Sequence, residues 1–277
     1  MRKAFEPKVS IVTGGASGIG RAIAAELVGR GSHVVIADLD LTAAQGTAHE
    51  LGPRCSAVAL DVANADAVRR VVQDAVAEHG RLDVMVNNAG IGLGGFLEEL
   101  DERHWTKAID VNLRGVINGA TAAYEVMRAQ RSGHILNIAS LAGLVPAPSM
   151  LPYTTTKHAV VGLSTALRAE AASLGIQVSV LCPGFVDTPL LDSMYEPPQS
   201  LGGSSIRSRV RMLQPKLLTA ELTAQRGVEG LAANKAVIPV GALAHLTWRA
   251  LRYAPALTRT IFTLQATAAR RLAARGR

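Results

Sequence analysis

The chain reads as an α/β protein, a doubly wound parallel sheet covered by helices on both faces. Three observations predict this. Short β-branched runs alternate with segments of helical periodicity from the start. Those runs are continuously apolar rather than alternating, the mark of strands buried on both faces. The notable residues Thr13, Asp38, Asp61, Asn88, Ser140 and Pro183 each stand where a run ends. Right-handed crossovers bring such ends to one edge, where open α/β sheets bind ligands.

Each element follows from the residues in order. Val9 to Thr13 is the first strand, and Ile19 to Arg30 carries Ile23 and Leu27 at helical spacing before stopping at Gly31. Val34 to Ala37 is a buried strand closed by Asp38, followed by a helix over about Leu41 to Leu51. A strand around Ala57 to Leu60 leads into Asp61-Val62, then a helix from Ala65 to Glu78 bears Val68, Val71, Val72 and Val76. Leu82 to Val86 runs into Asn87-Asn88-Ala89-Gly90. Two helical stretches span about Asp101 to Arg131, and the strand Ile135 to Ala139 delivers Ser140. A helix from about Tyr153 to Leu174 precedes the strand Gln177 to Leu181 and Pro183-Gly184. A long irregular stretch is expected over about 188–229, and a last strand over Ala236 to Val240. Residues 1–241 form the catalytic domain on this reading, and 242–277 a basic, amphipathic helical extension.

At 277 residues the chain is long enough for one large domain. With 48% hydrophobic but only 4% aromatic residues, its core must be built from Ala, Val, Leu and Ile. Two cysteines cannot make a disulfide framework, and Cys55 and Cys182 read as reduced and inert. The N-terminus lacks an apolar leader, and no run suits a membrane span, so a cytoplasmic protein is expected. The formal charge of +7 sits in one place: residues 230–277 hold eight basic side chains and no acid, which leaves residues 1–229 at −1. A nucleic-acid footprint over the whole surface is not supported. No grouping of His, Cys, Asp or Glu has metal-ligand spacing.

The glycine-rich turn Thr13-Gly-Gly-Ala-Ser-Gly-Ile-Gly20 lies at a strand-to-helix junction. Missing side chains at Gly14, Gly18 and Gly20 let a pyrophosphate approach backbone N–H groups at a helix start, with Ser17 and Ile19 beside it. Asp38 falls 18 residues after Gly20, where this fold sets a carboxylate on the adenosine ribose hydroxyls. A carboxylate there repels the 2′-phosphate of NADP, and neither Ser17 nor Leu39 supplies a cation to reverse this. NAD is expected over NADP.

These residues, continued by Asp61-Val62, Asn87-Asn-Ala-Gly90, Asn112, Ser140, Tyr153, Lys157 and Pro183-Gly184 with Thr188, resemble the short-chain dehydrogenase/reductase family over about residues 8–190. The resemblance implies a seven-stranded Rossmann-type sheet, one nicotinamide site per subunit and a homodimer or homotetramer. It places Asn88, Ala89 and Gly90 on the cofactor through their backbone, with Asp61, Val62, Pro183, Gly184, Val186 and Thr188 around it. Asn87 reads instead as a tie between strands.

The chemistry follows from the residue types. Hydride transfer to a carbonyl leaves an alkoxide that needs a proton, and oxidation of an alcohol needs that proton removed. Tyrosine, with an ordinary pKa near ~10, is a poor base at neutral pH. Lys157 lies one helical turn beyond Tyr153, and its ammonium, together with the positive nicotinamide ring of the oxidised cofactor, is expected to lower that pKa. Ser140 can donate a hydrogen bond to the substrate oxygen. By resemblance Lys157 also holds the nicotinamide ribose, and Asn112 positions a water that links Lys157 to solvent.

Apolar residues surround this centre: the stretch from Leu141 to Pro152, Gly92 to Phe96, and Leu190, Leu191, Met194 and Tyr195. They predict a hydrophobic secondary alcohol or its ketone as substrate. The same geometry serves an epimerase or dehydratase, and a cofactor-sensing or membrane-tethered binding protein is a rival of another class. Arg207 and Arg211 share a helix face that is either solvated or a seat for an acidic group such as a coenzyme A phosphate. Past Pro255, Leu257, Ile261, Leu264, Ala268 and Leu272 form a stripe with Arg259, Arg270 and Arg277 opposite. That pattern suits either peripheral contact with an anionic membrane or packing within the protein or its oligomer.

Overall fold

The computed structural model describes residues 5–193 and 206–275. Seven parallel strands form one sheet in the order β3-β2-β1-β4-β5-β6-β7: β1 (Val9–Thr13), β2 (His33–Asp38), β3 (Cys55–Ala59), β4 (Val84–Asn87), β5 (Gly133–Ile138), β6 (Ile176–Pro183) and β7 (Val237–Val240). The order reverses between β1 and β4. That crevice lies between the turn after Thr13 and the Asn88-Gly90 segment, where such sheets bind ligands.

Alternation along the strands divides the core in two. Val12, Ile36, Val86 and Leu181 face one side, covered by α1 (Gly18–Gly29), α2 (Leu41–Leu51) and α8 (Ala220–Ala232). Ile11, Val35, Met85 and Ile135 face the other, covered by α3 (Ala65–His79) and α5 (Gly115–Gln130). α4 (Glu102–Ile109) precedes α5, and α6 (Leu151–Ala171) spans the β5–β6 side. A buried polar ladder runs across the strands: Asn87 Nδ2 donates to Asn137 Oδ1 (2.8 Å), and Asn137 Nδ2 donates to Ser164 Oγ on α6 (2.9 Å). Asn87 is thus the tie its sequence position suggested.

Two expectations are corrected. Among the described residues, the part of 188–229 from Ile206 onward is largely helical: it contains α7 (Ile206–Leu213) and most of α8. α8 was hard to read because most of its buried face is small, Ala220, Thr223, Ala224, Gly227 and Gly230, with only Val228 and Leu231 as large apolar residues. A Cβ at Gly230 would lie 2.6 Å from Ile238, so the helix sits against β7 at a distance only glycine permits. The two helical stretches expected over 101–131 are α4 and α5, joined by a π-helical turn at Asp110–Arg114.

The second correction concerns the tail. Two helices follow β7, α9 (Ala242–Tyr253) and α10 (Pro255–Arg275), divided just before Pro255. The leucine stripe does not face the protein: Leu257 and Leu264 are each 64% exposed and Ile261 is 48% exposed. Thr258 is buried and Phe262 half-buried instead, and Phe262 packs with Trp248 and Leu251 against the cluster around Leu144, Val145 and Val160. Nor is Arg270 a solvated counterface, since it binds Glu98 on the main body. Met194, Tyr195, Arg277 and the side chain of Leu272 lie outside the described residues.

Candidate active site

The glycine turn is held by close backbone approach. Gly14 and Gly18 have φ of +60° and +51°, a region that favours glycine. A Cβ on Gly20 would lie 2.2 Å from the Gly14 carbonyl oxygen. Across the crevice, Asn88 Nδ2 donates to the carbonyls of Thr13 and Gly14, both at 2.9 Å. Thr13 Oγ1 accepts from the N–H groups of Asn88 (3.0 Å) and Ala89 (3.1 Å). Asn88 therefore uses its side chain to clamp the turn, leaving any cofactor contact to the backbone. Thr13 was legible only as a strand end, because nothing local showed which strand its hydroxyl would meet.

The surroundings fit a nicotinamide dinucleotide. Ser17 stands at the N-cap of α1 with no side-chain capping bond, and the first turn of α1 holds no acid. These free donors and the positive helix end suit a pyrophosphate. Asp38 Oδ2 accepts from the Ala16 N–H (3.0 Å) and Oδ1 from the Asp40 N–H (3.1 Å), which fixes the carboxylate beside the turn. The next cation along α1, Arg21, is bound to Glu50. Thr188 packs over Gly18, with its methyl carbon 3.2 Å from where a Cβ there would be.

Other candidates are placed less directly. Ile19 packs toward the core, and Val186 is buried in it, with its neighbours paired to Leu218. Pro183 lies in β6 in register with Val240, and the Gly184 N–H donates to the Val240 carbonyl. Asp61 Oδ1 accepts from the Ala63 N–H, while the Val62 carbonyl accepts from Asn118 Nδ2.

Three elements bring the catalytic candidates together. β5 delivers Ser140, α6 presents Tyr153 and Lys157 one turn apart, and the π-helical turn turns Asn112 inward, fully buried. Lys157 Nζ lies 5.5 Å from the Tyr153 ring centroid and donates to the Ile138 carbonyl at 2.9 Å. Asn112 accepts from the Ile91 N–H (2.8 Å) and donates to its carbonyl (3.0 Å). A Cβ on Gly90 would meet Asn112 Oδ1 at 3.0 Å and Lys157 Nζ at 3.5 Å, so the end of β4 abuts the same cluster. Gly143 was missed: a Cβ there would lie 2.5 Å from the Lys157 carbonyl oxygen, so glycine lets the turn after Ser140 dock on α6.

Among the protein's own groups, burial dominates the electrostatics of this cluster. Burial pushes the Tyr153 phenol above its ordinary value, while its hydrogen bond with Ser140 pulls it down by less. Burial also pulls Lys157 down to about 8. Cys182, fully buried beside them on β6, is pushed up to about 12, mainly by burial. Desolvation of the whole cluster thus outweighs the help an ammonium gives a phenolate.

A family model for short chain dehydrogenases matches residues 8–199, more than half of the chain. The chain is a short-chain dehydrogenase/reductase. It is 37% identical over 193 residues to a 3-oxoacyl-[acyl-carrier-protein] reductase of Staphylococcus aureus, covering 68% of this chain and 78% of that one. The corresponding enzyme of Thermotoga maritima is 34% identical over 195 residues, covering 69% and 79%. A crystal structure of a short chain dehydrogenase/reductase from Burkholderia phymatum in complex with NAD superposes with a TM-score of 0.79 at 33% identity, covering 88% of this chain and 92% of that one. A 3-ketoacyl-(acyl-carrier-protein) reductase from Brucella melitensis complexed with NADH gives 0.78 at 29%, covering 86% and 98%. As a member of this family the chain is an oxidoreductase that acts on CH–OH groups with a nicotinamide cofactor. α7 to α10 lie beyond the matched residues.

Proposed function

We propose that this enzyme is an NAD-preferring reductase of a lipophilic ketone, reversible to oxidation of the secondary alcohol, with Tyr153 as the acid/base. The observation that carries the reading is the convergence of Tyr153, Lys157, Ser140 and Asn112 beside Gly90 at the sheet's switch point. A nicotinamide bound along Gly14–Gly20 and Asp38 would exchange the hydride. Asp38, with no free cation beside it, supports NAD.

The chain's own residues then handle the oxygen. Ser140 orients the carbonyl, and Tyr153 donates its proton to the oxygen as the alcohol forms. Lys157, anchored on the Ile138 carbonyl, stands where it can hold the nicotinamide ribose and favour the resulting phenolate. Asn112, fixed by both backbone groups of Ile91, positions a water for reprotonation. A phenol pushed up by burial stays protonated at neutral pH, which favours reduction, whereas oxidation needs the phenolate and should accelerate as pH rises.

Leu93, Phe96, Leu144 and Val145 are buried along the two segments that flank the site, which supports an apolar substrate. The relatives are named as reductases of 3-oxoacyl groups on an acyl carrier protein, but here Arg207 is paired with Asp187 and Asp192, whose carboxylates disfavour a phosphate beside it. A free lipophilic ketone suits this site better. Cofactor oxidation followed optically across lipophilic ketones tests the proposal. Turnover is expected, and Tyr153→Phe should lower kcat by roughly 10²–10⁴-fold with NAD binding intact. Binding without turnover would point to a sensor, and conversion without net redox change to an epimerase or dehydratase.

Two further readings rest on surfaces. Tyr253, Leu257, Ile261 and Leu264 are exposed beside Arg249, Arg252, Arg259 and Arg271, in a stretch without acidic residues. This supports peripheral contact with an anionic membrane, from which a lipophilic ketone would be drawn. Among the described residues no helix is long and apolar enough to cross a membrane. Ile117 on α5 and Leu222 on α8 are also left in water, which supports a homodimer or homotetramer.

A further inference from the structure

We infer that Arg270, Phe96 and Glu98 form a latch that makes α10 the outer wall of the substrate site and so sets the length of apolar substrate accepted. The inference rests on the ketoreductase reading and adds a specificity element from outside the family match, which ends at residue 199.

The segment that is latched runs between catalytic groups. At its start both backbone groups of Ile91 are bonded to Asn112. Further on, the Gly95 N–H donates to the Ser149 carbonyl at 2.7 Å, and Gly95 bridges to Met150, three residues before Tyr153. Any shift of residues 91–99 is therefore felt at both Asn112 and the start of α6. Phe96 sits at the bend, only 7% exposed, with its N–H bonded to Glu99 Oε2 (2.9 Å).

α10 reaches this bend with its last turns. The Arg270 guanidinium carbon lies 4.3 Å from the Phe96 ring centroid, and its two terminal nitrogens donate to the two oxygens of Glu98 at 2.5 and 3.2 Å. A planar guanidinium is the group that can stack on a ring and pair with a carboxylate at once. Nearer its start, Phe262 of α10, with Trp248 and Leu251 of α9, packs against the buried cluster to which Leu144 and Val145, between Ser140 and Tyr153, belong. The C-terminal helices thus join the main body at the Phe96 bend and at that cluster.

The ion pair is half-exposed on both sides, 55% for Arg270 and 57% for Glu98, so it is a weak bond of the kind that opens and closes readily. Such a contact adds little to folding. Its effect is to keep apolar surface over a long substrate once one has entered. A short ketone that ends before this wall does not use it.

The test is a homologous series of methyl ketones, short to long, with the full-length enzyme and NADH. Arg270→Ala should raise KM for the longest members roughly tenfold relative to the shortest, equivalent to ~1.4 kcal/mol, with kcat nearly constant. Arg270→Lys should recover only part, since it restores the charge but not the flat stack. Pairing Glu98→Arg with Arg270→Glu should recover more than either change alone. Hydrogen exchange on the ligand-free protein should show faster exchange at residues 91–100 in Arg270→Ala. An equal KM change at every chain length, or no change in exchange at 91–100, overturns the latch. If the enzyme reduced no ketone, the functional reading would fail, and calorimetric affinities for long against short alcohols would still decide the latch by the same ratio.

Discussion

The glycine turn at residues 13–20 and the helices beyond residue 241 both border the catalytic edge, and they are held there by opposite means. The turn is held by backbone at van der Waals limits: Gly20 against the Gly14 carbonyl, Gly14 against Ala89, and Asn88 bonded to two consecutive carbonyls. Nothing there can move without a clash or a lost buried hydrogen bond. The C-terminal helices are held by side-chain tips, Trp248, Leu251 and Phe262 on one side and a half-exposed arginine on the other. A site built this way has a rigid half for the invariant part of its reaction and an adjustable half for whatever ketone it meets. The difference shows which changes the protein will tolerate, and where.

The sharpest way to break the comparison is Gly20→Ala. Added carbon 2.2 Å from a carbonyl oxygen should destabilise the fold by about 1–3 kcal/mol and weaken cofactor binding at least roughly tenfold. Urea unfolding and a cofactor titration read both, and a variant as stable as the parent would show that the turn is looser than its geometry. Asp38→Ala comes next. Loss of a charged acceptor should erode the preference for NAD over NADP by roughly tenfold or more; unchanged discrimination would remove Asp38 from that role. The smallest structural effect is expected at Leu264, which is mostly exposed. Leu264→Asp should leave unfolding within about 0.5 kcal/mol yet reduce co-sedimentation with anionic vesicles. Loss of oligomerisation with vesicle binding unchanged would instead make the leucine stripe a subunit contact.

Much of the first region was legible because its constraints are local. A β-branched run, glycines at a strand-to-helix turn and an aspartate one strand later each leave a mark on adjacent residues, and helical spacing alone puts Lys157 beside Tyr153. The rest was not legible, for three physical reasons. α8 buries mostly alanine, threonine and glycine beside Val228 and Leu231, so its packing face carries few of the large apolar residues that mark a helix in sequence. Thr13, Gly143 and Arg270 act on residues 75, 14 and 172 positions away in the chain, and no local pattern encodes those partners. The Tyr153 phenol was expected to be acidified by its neighbour, but the balance depends on how much water the finished fold removes.

The parallel sheet, the glycine turn at its edge and the placing of Lys157 one turn beyond Tyr153 were determined by sequence alone, because each needs particular residue types at short, fixed spacings. The tertiary structure decided what those residues experience: which face of α10 meets solvent, which arginines are already paired, and whether burial or charge governs a proton. Those outcomes depend on desolvation and on contacts between distant segments, and both come into being only when the chain closes on itself.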